Sequence, residues 1–197
     1  MNNIDNLIKN LNKEQKEAVL STEGPNLIVA GAGSGKTRVL TTRLIHIIKQ
    51  KKAWANQILC VTFTNKAAKE MQNRVMQYVK GSTNSVPWLG TFHSISVKFL
   101  RRHAEALGYR SNFTILDTDD QKKLIKQVIE YLKFENDINE SIFLNEIQNL
   151  KDQKILSSQK SQITKYSSLE NITDIYELYQ QRLIEINAVD FGDILLH

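Results

Sequence analysis

Residues 26–40 read NLIVAGAGSGKTRVL. Leu27, Ile28 and Val29 suit a buried strand, and Ala30 to Gly35 carry almost no side chain, so the backbone can curl tightly there. In a phosphate-binding loop, successive N–H groups point inward at a β-phosphate and a helix N-terminus adds its positive dipole end. A lysine then reaches the β- and γ-phosphates, and a hydroxyl holds Mg²⁺. Here Gly33, Gly35, Lys36 and Thr37 fill those roles, in a loop composed of Ala30, Gly31, Ala32, Gly33, Ser34, Gly35, Lys36 and Thr37. The pattern A-x-x-G-x-G-K-T opens on Ala30 where the common form has glycine. A dinucleotide fingerprint needs a glycine where Lys36 stands, which excludes that reading. An apolar run before the loop and the helix-like RVLTTRLIHIIK after it stand where the mechanism needs them. The stretch therefore predicts an ATP-type site, with Lys36 and Thr37 as its catalytic pair and Thr37 as the ligand of Mg²⁺.

The chain has 197 residues, enough for one or two domains with a proper core. No apolar run approaches the length of a membrane span, and MNNIDNLIKN lacks a signal-peptide core, so a cytoplasmic protein is expected. The single cysteine, Cys60, lies in the apolar run ILCVTF and reads as a small buried hydrophobe; no cysteine metal site or disulfide follows from it. Charge is unevenly spread: residues 1–108 carry a net +10 and residues 109–197 a net −5. A basic first half suggests a polyanionic partner beyond the nucleotide, whereas an unevenly charged, solvated surface is the plainer reading.

Strand-like runs at 26–30, 58–63, 88–91 and 113–116 alternate with helical patterns, the rhythm of a parallel α/β sheet. Helices are predicted over 65–79, capped by Thr64, and over 92–107, stopped by Gly108. KGSTNSVP, at 80–87, is a loop. A further helix opens with a capping box from Thr118 to Gln121 and carries Leu124, Ile125, Val128 and Leu132 as its apolar stripe. Beyond it only helices are expected, joined by the polar connection KILSSQKSQITKYSSLEN. The closing AVDFGDILLH reads as a helix just starting at an Asp190 cap. A finished domain seldom ends so, and a longer chain is expected.

Four segments, LNKEQKEAV (11–19), AGAGSGKTR (30–38), VTFTNKAAKEM (61–71) and GTFHS (90–94), occur in an order and spacing that resembles the superfamily 1 DNA helicases of the UvrD/Rep/PcrA group. The resemblance continues through NFTILDTDDQ and YQQRLIEINAVDFGDIL and so covers nearly the whole chain; the sequence departs from the family's usual DFDD at Gly192. It implies an α/β fold: an incomplete RecA-like P-loop domain with a parallel sheet, called 1A, over residues 1–108. A mostly helical inserted subdomain, 1B, follows over 109–187, and residues 188–197 return into 1A. It implies that Gln15 reads adenine with its amide and that Arg38 packs against the base. Phe63, Thr64 and Asn65, with Thr91 and His93, would contact single-stranded DNA. The implied activity is ATP-driven 3′–5′ translocation and unwinding of duplex DNA in repair or replication. ATP and Mg²⁺ are the implied cofactors, and single-stranded DNA and single-strand/duplex junctions the partners.

These residues also have plainer readings. Gln15, three after Asn12, suits a helix-cap partner. Phe63 ends a strand, where an aromatic is usually core, yet the carboxyl end of a strand is also where α/β sheets bind ligands. Lys66 and Lys69 suit a solvated helix start or a phosphate contact, and Lys66 is carried as a DNA-binding candidate. His93 lacks ligand-spaced partners, so no metal role follows. DFG at 190–192 has none of the companion motifs of a protein kinase. Asp117, ending FTILD, mimics a Walker B aspartate but is followed by Thr118 rather than an acid. Missing from the sequence are an acidic Walker B pair, its glutamate and a second domain's arginines, so the chain alone is expected to be inactive. The alternatives are a RecB/AddA-type helicase–nuclease, a small-molecule phosphate-loop enzyme, and a nucleotide- and DNA-binding module without activity.

Overall fold

The computed structural model describes residues 4–79, 86–134 and 139–197. Most of the loop predicted at 80–87 lies outside them. The chain divides into two compact units, residues 1–95 and 96–197.

In the first unit, α1 (Ile4–Lys9), α2 (Lys13–Leu20) and α3 (Lys36–Lys49) precede a 3₁₀ turn at Ala55–Gln57, strand β1 (Cys60–Thr62), α4 (Asn65–Met76) and strand β2 (Leu89–Thr91). β1 and β2 pair in parallel, with Cys60 opposite Leu89 and Thr62 opposite Thr91. Leu44 and Ile45 of α3 meet Cys60, Leu89 and the apolar face of α4 (Ala68, Met71, Val75) in one core. Cys60 is the small buried hydrophobe expected, its thiol 3.3 Å from Met71 Sδ, and burial pushes its pKa up. Thr64 caps α4 as predicted, accepting from the Ala67 N–H at 3.2 Å.

The strand expected at 26–30 is not formed. Residues 25–31 have no regular secondary structure, and Leu27 and Val29 are 91% and 88% exposed. A strand exists only through a neighbour's hydrogen bonds, and the two described strands of this unit pair with each other. An apolar run states a preference that a partner must realise.

In the second unit, α5 (Phe92–His103), which starts in the first, is followed by a 3₁₀ turn at Ala104–Leu107 and strand β3 (Thr114–Ile115). Then come α6 (Thr118–Tyr131), α7 (Glu140–Asp152), α8 (Lys160–Tyr166), α9 (Ile172–Glu185), strand β4 (Ala188–Val189) and α10 (Phe191–Leu196). Gly108 ends the 3₁₀ turn at φ 81°, a left-handed conformation that glycine adopts without penalty. The expectation of helices alone after α6 fails at β4, which pairs in parallel with β3 (Thr114 opposite Ala188). The polar connection holds α8, whose Ile163 is fully buried and packs with Ile155 in the helical core.

The cap of α6 also differs from expectation. Asp117 accepts from the Asp120 N–H at 2.9 Å, so the helix is capped one residue earlier than Thr118, and Gln121 donates instead to the Leu116 carbonyl at 3.2 Å. An aspartate preceding a threonine wins because its carboxylate also favours the positive end of the helix dipole. Leu124, Ile125 and Val128 are buried as expected, with Leu132 packed against the same cluster.

Candidate nucleotide and nucleic-acid site

The loop ahead of α3 owes its shape to two glycines. Gly33 and Gly35 stand at φ 75° and 85°, which side-chain-bearing residues rarely adopt, and Gly35 is the residue that opens α3. No side chain caps this 14-residue helix, so its first N–H groups are left for a ligand. Lys36 arches back over the loop, donating to the carbonyl oxygens of Ala30 at 2.8 Å and Gly31 at 2.7 Å. Ser34 Oγ closes the loop on itself, donating to the Gly31 carbonyl at 2.8 Å. Thr37, in the first turn, is exposed, and no added Cβ at Gly31 or Gly33 would meet a neighbour within 4 Å. Uncapped N–H groups, a neighbouring ammonium, a hydroxyl and open space are the donor set a magnesium–phosphate group requires.

Gln15 has the helix-cap role, and its amide also reaches the loop ahead of α3. Its backbone N–H donates to Asn12 Oδ1 at 2.8 Å and its Oε1 accepts from the Asn12 N–H at 3.2 Å, a complete capping box for α2. Its Nε2 donates to the Ser34 carbonyl at 2.9 Å, tying α2 to the loop. Arg38 is exposed and donates to the Asn10 carbonyl at 3.2 Å. Between α2 and the loop lies a cleft of ≈ 400 Å³ lined by Asn12, Gln15, Ile28, Ser34, Lys36 and Arg43 among others. Arg43 went unnoticed in the sequence. It donates to the Ala18 carbonyl and braces α3 against α2, and its place two turns after Lys36 on α3 is the signal that marks it.

The second group of candidates gathers at one sheet edge. Because Thr62 and Thr91 are opposite one another, the residues that follow them leave the carboxyl ends of β1 and β2 side by side. Phe63 is 93% exposed, so it is no core aromatic. Thr64 is committed to capping α4, and Asn65 and Lys66 are exposed in its first turn. Thr91 is buried and its Oγ1 accepts from the Ser94 N–H at 3.3 Å; His93 is exposed at the start of α5. Among the described residues no group of His, Cys, Asp or Glu has the arrangement of a metal site. Asp117 is occupied as a helix cap, and Asp190 and Asp193 point into the second unit's interior. No described helix is long and apolar enough to cross a membrane.

The chain is 43% identical over 192 residues to the ATP-dependent DNA helicase PcrA of Staphylococcus epidermidis (strain ATCC 35984) and equally to that of Staphylococcus aureus (strain Mu50). The alignments cover 96% of this chain and 26% of each relative, so the chain spans about a quarter of the length of the curated relatives it matches. The family described as the UvrD/REP helicase N-terminal domain matches residues 11–197, and the chain belongs to that family.

Proposed function

We propose that this chain is the N-terminal part of an ATP-dependent 3′–5′ DNA helicase, binding ATP and Mg²⁺ at Ala30–Thr37 and single-stranded DNA along the edge made by Phe63–Lys66, Thr91 and His93. The observation that carries this reading is the uncapped start of α3 behind two left-handed glycines, with Lys36 folded back onto the carbonyls of Ala30 and Gly31. Lys36 exchanges its two carbonyl contacts for phosphate oxygens, and Thr37 offers its hydroxyl to Mg²⁺. Gln15 holds Ser34 in place and turns its amide toward adenine, with Arg38 against the base. Exposed Phe63 stacks on a base beside a lysine that meets phosphate. On this reading residues 1–108 and 188–197 belong to a RecA-like 1A domain and 109–187 to a 1B insertion. Domain closure on ATP advances the strand, in repair or replication at single-strand/duplex junctions.

The fragment by itself is proposed to bind but not to hydrolyse, because an orienting glutamate and a second domain's arginine are absent from its sequence. Titration of a fluorescent ATP analogue with Mg²⁺, followed by fluorescein-labelled oligo-dT with and without the analogue, tests it. Binding of both ligands without phosphate release is expected. A chain that binds neither, or that turns over ATP until Lys36→Ala is introduced, contradicts it.

A further inference from the structure

The most deeply buried charges lie in the unit 96–197, and neither the nucleotide site nor the DNA edge uses them. Lys151, in the last turn of α7, has a side chain 0% exposed, and Asp190 and Asp193, at the start of α10, are 1% and 0% exposed. The Lys151 ammonium donates to Asp190 Oδ2 at 2.6 Å and to Asp193 Oδ1 at 2.7 Å. Tyr179 OH donates to the same Asp190 oxygen at 2.9 Å, and Gln180 Nε2 to the same Asp193 oxygen at 3.1 Å. His197 Nε2 lies 3.7 Å from that Asp193 oxygen. The remaining carboxylate oxygens cap the helix reciprocally: Asp190 Oδ1 accepts from the Asp193 N–H at 2.8 Å and Asp193 Oδ2 from the Asp190 N–H at 3.2 Å. Every carboxylate oxygen in the pair thus has a donor.

Burying three charges is a poor way to gain stability, because well-packed apolar residues of the same size usually do as well. What an ammonium between two carboxylates adds is direction. One Nζ reaches both aspartates here because α10 lies against the end of α7 with both carboxylates turned to the same ammonium. Among the described residues of α10, Ile194 is the apolar side chain that is buried, so the polar groups at its start carry much of that placement. Gly192 provides the room. A Cβ there would lie 2.7 Å from Lys151 Cδ and 3.0 Å from the Gln148 amide atoms, so the lysine stem runs through the space a side chain would take.

We infer that Lys151, Asp190, Asp193 and Gly192 form a register lock, which sets where segment 188–197 sits on the helical unit rather than how stable that unit is. The test compares three variants by thermal unfolding and by amide hydrogen exchange at Leu195–His197. Lys151→Met strands two carboxylates and is expected to lower the unfolding midpoint. Lys151→Met/Asp190→Asn/Asp193→Asn removes all three charges, keeps amide oxygens able to cap, and is expected to regain the midpoint while α10 exchanges at least about tenfold faster. Gly192→Ala, with charges intact, should accelerate the same amides without altering those of α6 and α9. The lock is overturned if the triple variant stays as unstable as Lys151→Met or does not fold. It is equally overturned if α10 in the triple variant or in Gly192→Ala exchanges at the parental rate.

Discussion

Lys36 Nζ sits 2.8 Å from the carbonyl oxygen of Ala30, six residues earlier, so the loop holds the ammonium over its own opening residues. The contact gives the cation two carbonyl acceptors and ties the first residue of α3 back to the start of the loop. On the proposed reading a phosphate oxygen takes the place of these carbonyls as the acceptor of the ammonium.

Lys36→Ala is therefore expected to weaken binding of the magnesium–nucleotide by about 1.5–3 kcal/mol, the worth of a charge-assisted hydrogen bond. The fold should be untouched, since the lysine is exposed and contacts only the loop's own carbonyls. Isothermal titration together with a denaturant melt separates the two effects. Parental nucleotide affinity in this variant removes the lysine from the site.

Phe63, 93% exposed at the end of β1, contributes almost nothing to the core. Phe63→Ala should leave stability within about 0.5 kcal/mol of the parent. If a base stacks on the ring, single-strand affinity falls by about 1–3 kcal/mol with an unchanged salt slope. Lys66→Ala, by contrast, should reduce that slope if the lysine neutralises a phosphate. Fluorescence anisotropy at several salt concentrations reads both, and no loss in either variant moves the DNA elsewhere.

Asp117 separates a helix cap from a metal ligand. Its carboxylate accepts the Asp120 N–H, so Asp117→Ala should cost about 1 kcal/mol of stability. Magnesium-dependent nucleotide binding should not change. A variant that keeps its stability but loses magnesium dependence would return Asp117 to the nucleotide site.

His46 on α3 gives the first unit an acid sensitivity. It is buried, its Nδ1 has no hydrogen-bond partner among the described residues, and burial, then the charges of Lys52 and Arg43, hold its pKa below the ordinary imidazole value. The folded chain keeps it neutral, whereas the unfolded chain protonates it near the usual value of about 6.5. Between those two pKa values the unfolded state binds more protons, so stability is lost as pH falls below about 6.5. His46→Leu should flatten that part of the profile in urea melts taken at successive pH values; an unaltered slope assigns the sensitivity to another group.

The curl at 30–37 was legible because its backbone geometry is local. Small residues at fixed spacing, two of them at positive φ, followed by lysine and threonine, describe a loop closed by the bonds of Ser34 and Lys36 to Ala30 and Gly31, with one tie from Gln15 further off. Caps at Asn12, Thr64 and Asp190 were readable for the same reason: a side chain and an N–H three residues on decide them. The cap at Asp117 was misread by one position because two adjacent residues could each serve, and sequence alone does not rank an aspartate against its neighbouring threonine in place.

What the sequence determined by itself was thus the chemistry of short stretches: the curl at 30–37, the start of α4, and the stop at Gly108. Tertiary structure decided everything that depends on a distant partner. Leu27–Val29 carry a strand's composition but no described neighbour pairs with them, whereas Ala188 and Val189, two residues without any periodic signal, become a strand because Thr114 and Ile115 lie beside them. Lys151 acquires its partners only when Asp190 and Asp193, 39 and 42 residues later, are folded against it. Backbone pairing and buried charge are both settled by which groups meet, and a linear pattern holds each group's preference without its partner.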